Sequence, residues 1–387
     1  MNSNHITNKI KIAYITVEDP YDKSTWSGTN YFILKTLQDH VGEVAVLGPI
    51  TPKFTLLVLK TINFITYNIF RKRFDYRHSI FLSKAYSRLI TPKLNKNNYD
   101  VIISPSGSTL LAYLNTKIPV IYIGDRTIKA AHNYHKQISD LFDFSYKQSV
   151  TIDNLILNKA SIISYPSYWA GNSAINDYNI DPKKVKVIPF GANLEQIPEI
   201  TISKESKKEK LNLLFIGVNW VEKGGQIAFE TLLELEKSGI KTKLTMCGCR
   251  VPKEISHPNL KIEGYLDKND KNDYLKLINH FKNADFLILP TRFEAYGLVL
   301  CEAAAYGIPI LATNTGGIPT IVKKGETGFL FPLEAKGKDY ADKIKWITEQ
   351  PDLLFQLKQN SLLRYKTILN WKTWASEINK VLTQLSI

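Results

Sequence analysis

A chain of 387 residues with 44% hydrophobic and 22% charged residues is too long for one ordinary core and suits two domains. That composition excludes a disordered chain, and the formal net charge of +14 means little until it is located. The start, MNSNHITNKIKIAYITV, shows no signal-peptide apolar region, so a cytoplasmic address is expected.

In chain order, KIAYITV (11–17) predicts a first strand. The loop EDPYDKSTWSGTN (18–30) follows, then a helix over YFILKTLQDH (31–40). Gly28 stands where backbone must come close to something, and Thr29 or Asn30 is placed to cap the helix. The loop is no GxGxxG, so a dinucleotide site is unsupported. After the strand VAVLG (44–48), residues 51–100 carry ten Lys or Arg against Asp75 and Asp100 alone, a net +8. The apolar part, FTLLVLKTINFITYNIF (54–70), is interrupted by Lys60, Thr61, Asn63, Thr66 and Asn68, so it is not a membrane span. Two readings stay open: an amphipathic core helix with a solvated basic flank, or a basic surface resting on anionic lipid by an attraction that salt removes. No nucleic-acid recognition motif accompanies the charge, and no nucleic-acid partner is expected.

Strands DVIISP (100–105), PVIYIG (119–124), SIISYP (161–166) and VKVIPFG (185–191) complete the first half, with a helix over YWAGNSAINDYN (168–179). The polar, charged segment 194–212 reads as a hinge. The second half repeats the alternation through LLFIG, AFETLLELEKSG, KLTMCG, LKIEGYL, DYLKLINHFKN, ADFLILP, LVLCEAAAYG and IPILAT. Strands alternating with helices predict an α/β fold of two doubly wound parallel sheets facing a cleft, with ligands at the carboxyl ends of the strands. Cys247, Cys249 and Cys301 read as buried, reduced thiols, since no second CxC or His cluster accompanies them.

Three loops of the second half look chemical. GVNWVEKGG (217–225) sets Lys223 beside a glycine pair at a helix start, a candidate phosphate grip. FEAYGLVLCEAAAYGIP (293–309) places Glu294 before a helix and Glu302 inside it, with Gly297 between; TNTGGIPTIV (313–322) is a further glycine turn. Helix-start amides at Gly297, Leu298 and Val299, together with Lys223, favour a diphosphate. Carboxylates are acceptors that suit hydroxyls, so a ligand with a diphosphate between two sugars fits. Glu302 is then assigned to the ribose and Glu294 to the other sugar of a nucleotide-sugar donor.

These residues resemble a known family. The run F-E-x-(Y/F)-G-L-x-x-x-E-A-x-A-x-G-x-P, with GGIPTIV and GETGFLF behind it, is similar to the E-x7-E signature of the family 4 glycosyltransferases of the GT-B fold. WSGT, PSYWAGNSAINDYNIDPKKVKVIPFGANLE and the EKGG loop extend the resemblance over nearly the whole chain. It implies a retaining hexosyl transfer to an acceptor hydroxyl in cell-surface polysaccharide or glycolipid biosynthesis, on a glycan or lipid-linked glycan. It also implies an acceptor domain (1–195), a donor domain (196–369) and a final helix (370–387) crossing back to the first. Gly28, Thr29, Lys223, Arg292, Gly297, Leu298, Val299 and Glu302 are expected on the donor, and Glu294, Asp125 and Lys223 in catalysis. The chain departs from the family in two places. Val218 stands where many relatives carry an arginine, with Arg292 a candidate substitute, and YIGDRT puts Asp125 and Arg126 where many carry a histidine.

No D-x-D element occurs, so metal-free transfer is expected, the leaving-group charge being met by Lys223, helix amides and arginine. A glycosidase-like double displacement lacks an evident nucleophile once Glu302 serves the ribose, which favours same-face attack. A nucleotide-sugar 2-epimerase and a catalytically silent binding protein on the same architecture are the alternatives.

Overall fold

The computed structural model describes residues 9–132, 134, 139–204 and 208–387. Most of the start discussed above (residues 1–8) and positions 205–207 of segment 194–212 lie outside the described residues. The chain divides into two compact units, Met1–Ile188 with Ala375–Ile387, and Pro189–Trp374.

The N-terminal unit is built on β1 (Lys11–Tyr14), β2 (Glu43–Val46), β3 (Val101–Pro105), β4 (Val120–Ile123), β5 (Ile162–Tyr165) and β6 (Val185–Val187). Every pairing is parallel, in the order β2-β1-β3-β4-β5-β6. β3, β4 and β5 are buried along their whole length, which explains their unbroken apolar runs. Ile102, Tyr122, Ile163 and Tyr165 pack with Leu82, Ile90 and Leu111 from the covering helices.

The C-terminal unit repeats the plan with β7 (Leu211–Ile216), β8 (Thr242–Cys247), β9 (Leu260–Gly264), β10 (Phe286–Leu289), β11 (Ile310–Thr313) and β12 (Gly328–Phe331). Here the order is β12-β11-β10-β7-β8-β9, again all parallel. The winding reverses between β7 and β10, where Leu213 and Leu214 register with Phe286 and Leu287. Loops after two strands at such a reversal diverge and leave room for a ligand. Cys247, Cys249 and Cys301 are free and buried, and burial pushes the Cys247 and Cys301 thiols up to about 12.

Packing divides the units at Ile188/Pro189 and Trp374/Ala375, where the sequence suggests 195/196 and 369/370. The difference has a local cause. Phe190 stacks on Trp371 at 5.8 Å, its carbonyl accepts from the Tyr296 hydroxyl at 2.9 Å, and Trp371 Nε1 donates to Asn193 Oδ1 at 3.1 Å.

The segment 54–70 requires a correction. It forms one helix, Lys53–Phe70, but of its residues only Leu59 is buried, so it is not a core helix. Phe54, Leu57, Phe64, Ile69 and Phe70 are each more than 60% exposed. No helix among the described residues is long and apolar enough to cross a membrane.

Candidate active site

The loops after β7 and β10 are tied together by short polar contacts. Thr291 Oγ1 lies 2.9 Å from the Glu222 carbonyl and 2.7 Å from that of Phe293. The Arg292 amide donates to the same Glu222 carbonyl at 2.6 Å. Gly224 is required here: its φ is +74°, and a Cβ would sit 2.0 Å from the Pro290 carbonyl oxygen. The loop after β11 joins the set, since Gly317 N donates to the Glu294 carbonyl at 3.2 Å. Three of the loops singled out by sequence therefore form one hydrogen-bonded platform at the β7/β10 reversal.

On that platform Lys223 Nζ donates to Glu294 Oε2 at 2.7 Å and approaches the Phe293 carbonyl at 3.4 Å. Both side chains are mostly covered, 22% and 16% exposed. Beside them the Leu298–Ala305 helix begins at Gly297, whose φ of +104° swings the chain from loop into helix. The first-turn amides of Leu298 and Val299 have no acceptor within the helix, and the dipole adds positive potential at this end. Lysine, helix start and carboxylate are thus adjacent, as an anionic ligand with a hydroxyl-bearing neighbour requires.

Glu302 sits elsewhere on the same helix. It is 2% exposed, and its Oε1 accepts from Lys268 Nζ at 2.5 Å. Burial pushes its carboxyl above the usual range while Lys268 pulls it back. Sequence reasoning missed Lys268, which stands in the stretch DKND after β9 and there resembles any solvated lysine. Among the described residues Arg292 pairs with no carboxylate, and its Nη1 donates to the Leu333 carbonyl. Val218 is exposed.

Gly28, Thr29 and Asp125 lie in the N-terminal unit. Asp125 Oδ2 accepts from Trp26 Nε1 at 3.0 Å, which joins the loops after β4 and β1. Trp26, also missed from sequence, holds a left-handed backbone with φ 43°, followed by Ser27 at 56° and Gly28 at 86°. Gly28 is the helix N-cap with no side-chain capping bond, so neither Thr29 nor Asn30 caps; both are buried in the first turn. Thr29 Oγ1 and Asn30 Oδ1 are buried without a hydrogen-bond partner among the described residues. No group of three His, Cys, Asp or Glu side chains suited to a metal ion occurs among the described residues.

Two six-stranded, all-parallel, doubly wound sheets are the architecture of the GT-B fold. A sucrose-phosphate synthase from Thermosynechococcus elongatus superposes with a TM-score of 0.67 at 17% identity over 98% of this chain and 99% of that one. HepE of Anabaena, solved with UDP and glucose, gives 0.64 at 15% identity over 97% and 100%. Residues 196–364 match the model of the family described as glycosyl transferases group 1, and the chain is a glycosyltransferase. A D-inositol 3-phosphate glycosyltransferase of Corynebacterium efficiens is 22% identical over 69% of this chain and 66% of its own length. An uncharacterized 41.2 kDa protein in the cps region of Klebsiella pneumoniae is 26% identical over 73% of this chain and 70% of its own. The named activities do not favour the epimerase alternative.

Proposed function

We propose that the chain transfers a hexosyl group from a nucleoside-diphosphate sugar to a hydroxyl of a glycan or lipid-linked glycan, with retention and without a metal ion. The observation that carries this reading is the Lys223–Glu294 pair at 2.7 Å beside the Gly297 helix start. An arriving diphosphate competes for Lys223 and for the first-turn amides of Leu298 and Val299. With Lys223 engaged by the diphosphate, Glu294 accepts from the transferred sugar. Glu302 takes the ribose hydroxyls, with Lys268 as its counter-ion. Gly28 and Thr29 contribute donor contacts from the N-terminal unit, and Asp125, oriented by Trp26, serves the transferred sugar or the acceptor. The roles of Arg292 and of the cation missing at Val218 fall to Lys223 and the backbone amides, since Arg292 is engaged by Leu333.

In the reaction the C1–O bond to the diphosphate breaks and the acceptor oxygen bonds C1 on the same face. The acceptor's proton passes to the departing phosphate oxygen, and Glu294 stabilises the oxocarbenium-like sugar. Cytoplasmic placement, peripheral on an anionic membrane leaflet through residues 51–100, and a role in cell-surface polysaccharide or glycolipid biosynthesis complete the proposal. HepE's UDP and glucose make UDP-sugars the first donors to test.

The test separates the two glutamates. Glu294→Ala is expected to lower turnover about 100-fold or more while free nucleoside diphosphate still binds. Glu302→Ala is expected to weaken the nucleoside diphosphate itself by about 1.5–3 kcal/mol, the scale of a hydrogen bond to a charged acceptor. Equal weakening of nucleotide affinity by both substitutions would sink this division of roles, and an inverted product anomer would sink retention.

A further inference from the structure

The Lys53–Phe70 helix is a strongly exposed apolar element. It meets the rest of the N-terminal unit through a narrow stripe: Leu59 is buried, and Thr55, Leu56, Asn63 and Thr66 are half-buried. Asn63 Oδ1 fixes the helix by accepting from Phe74 N at 2.9 Å. At about 100° per residue these five side chains span about 100° of the helix circumference. Phe54, Leu57, Val58, Ile62, Phe64, Ile65 and Ile69 fall on an arc of about 160° turned away from that stripe, and all seven are exposed. At the helix end Phe70 meets Phe142, and Phe144, itself 54% exposed, stacks on Phe74, which prolongs the apolar surface.

Only two polar side chains interrupt the outward arc, Thr61 and Asn68. Each spends its donor on its own helix: Thr61 Oγ1 donates to the Leu57 carbonyl at 3.0 Å and Asn68 Nδ2 to the Phe64 carbonyl at 2.8 Å. Polar groups satisfied in this way enter an apolar medium at low cost. Charge discriminates between occupants. No acidic residue occurs from Val44 to Phe74, while Lys53, Lys60, Arg71, Lys72 and Arg73 belong to or follow the helix. A second copy laid on this helix would bring the same cations against them; anionic headgroups would neutralise them.

We infer that the Lys53–Phe70 helix is an interfacial anchor that inserts its outward arc into the acyl region of an anionic leaflet. This deepens the peripheral address proposed above and rests on it, but it replaces charge attraction with apolar burial as the main hold. The helix lies in the plane of the interface, and the Arg71–Arg73 cations rest among the headgroups. Binding therefore outlasts salt that screens surface charge.

All three native cysteines are buried, so Phe64→Cys supplies the accessible thiol for an environment-sensitive nitrobenzoxadiazole label. With phosphatidylglycerol/phosphatidylcholine vesicles in high salt, the label is expected to brighten and shift blue. Phe54→Ser/Phe64→Ser/Ile69→Ser is expected to lower partitioning onto those vesicles about 100-fold or more in low and high salt alike. Complete release of the unsubstituted protein by salt would overturn insertion in favour of headgroup attraction. A label that brightens with protein concentration and not with vesicles would overturn it in favour of self-association. Nucleoside-diphosphate affinity of the triple variant separates this inference from the active-site reading. Partitioning lost with affinity kept supports the anchor, and partitioning kept overturns it whatever the affinity.

Discussion

Removing Lys268 tests how the buried glutamate is held. Glu302 is 3% exposed at its side chain and Lys268 is 20% exposed, with 2.5 Å between them. Two unit charges about 4 Å apart at an effective dielectric constant of about 20 attract by about 4 kcal/mol. Deleting one partner of a buried pair costs about 3–5 kcal/mol, because the other charge is left without compensation. Lys268 keeps some solvent, which screens the pair, so Lys268→Ala is expected to destabilise the C-terminal unit by about 3 kcal/mol. Glu302 has an escape from that cost, which is to take up a proton.

That escape has a measurable consequence for binding. Burial already raises the Glu302 carboxyl and Lys268 lowers it, so the substitution moves it further up. A protonated Glu302 loses half of its acceptor character toward a ribose diol. In Lys268→Ala, nucleoside-diphosphate affinity should therefore be regained at a higher pH than in the unsubstituted protein, as Glu302 ionises. Calorimetric titration from pH 6 to 9 reads the affinity, and denaturant unfolding reads the stability. Lys268→Met with Glu302→Gln, which removes both charges, should regain most of the stability and none of the affinity. Lys268→Ala with normal stability and flat, normal affinity would refute the reasoning.

Transfer is expected to persist in excess EDTA; loss of activity restored by magnesium or manganese would show that a metal shares the diphosphate. Gly224→Ala forces a side chain into a φ of +74° with a Cβ 2.0 Å from the Pro290 carbonyl oxygen, so thermal melts should show clear destabilisation and titration weaker diphosphate binding through the neighbouring Lys223. In the N-terminal unit, His78 Nδ1 lies 2.8 Å from Asp75 Oδ2. For Asp75 burial acts upward but His78 outweighs it, holding the carboxyl at about 2; for His78 burial acts downward but Asp75 outweighs it and raises the imidazole. Asp75 thus stabilises above its unfolded value near ~4 and loses this as pH falls through about 2, whereas His78 stabilises below ~6.5 and loses this as pH rises through its raised value. Melting temperature should decline from pH 6 to 9, and Asp75→Asn should flatten that decline.

What the sequence made legible was whatever depends on near neighbours along the chain. Unbroken apolar runs such as VIIS and FLIL are buried on both faces of parallel sheets, and a period of that kind survives in one sequence. The E-x7-E run was legible for the same reason: Gly297 between the two glutamates marks the loop-to-helix turn, and the helix then carries Glu302 inward. The segment 54–70 was not legible. Its apolar content is equally compatible with a buried stripe and an exposed one, and the choice was made by what packs on Leu59, including elements far along the chain. The partners of the acidic groups were hidden in the same way. Trp26 reaches Asp125 across 99 positions and Lys268 reaches Glu302 across 34. A spacing says where two carboxylates stand on a helix, but which cation meets each depends on the order of strands in the sheet. Lys223 follows β7 and meets the residue that follows β10 because those two strands are neighbours at the reversal. The two glutamates thus differ in surroundings through topology: one is paired with the lysine that follows β7, and the other is buried against the lysine that follows β9.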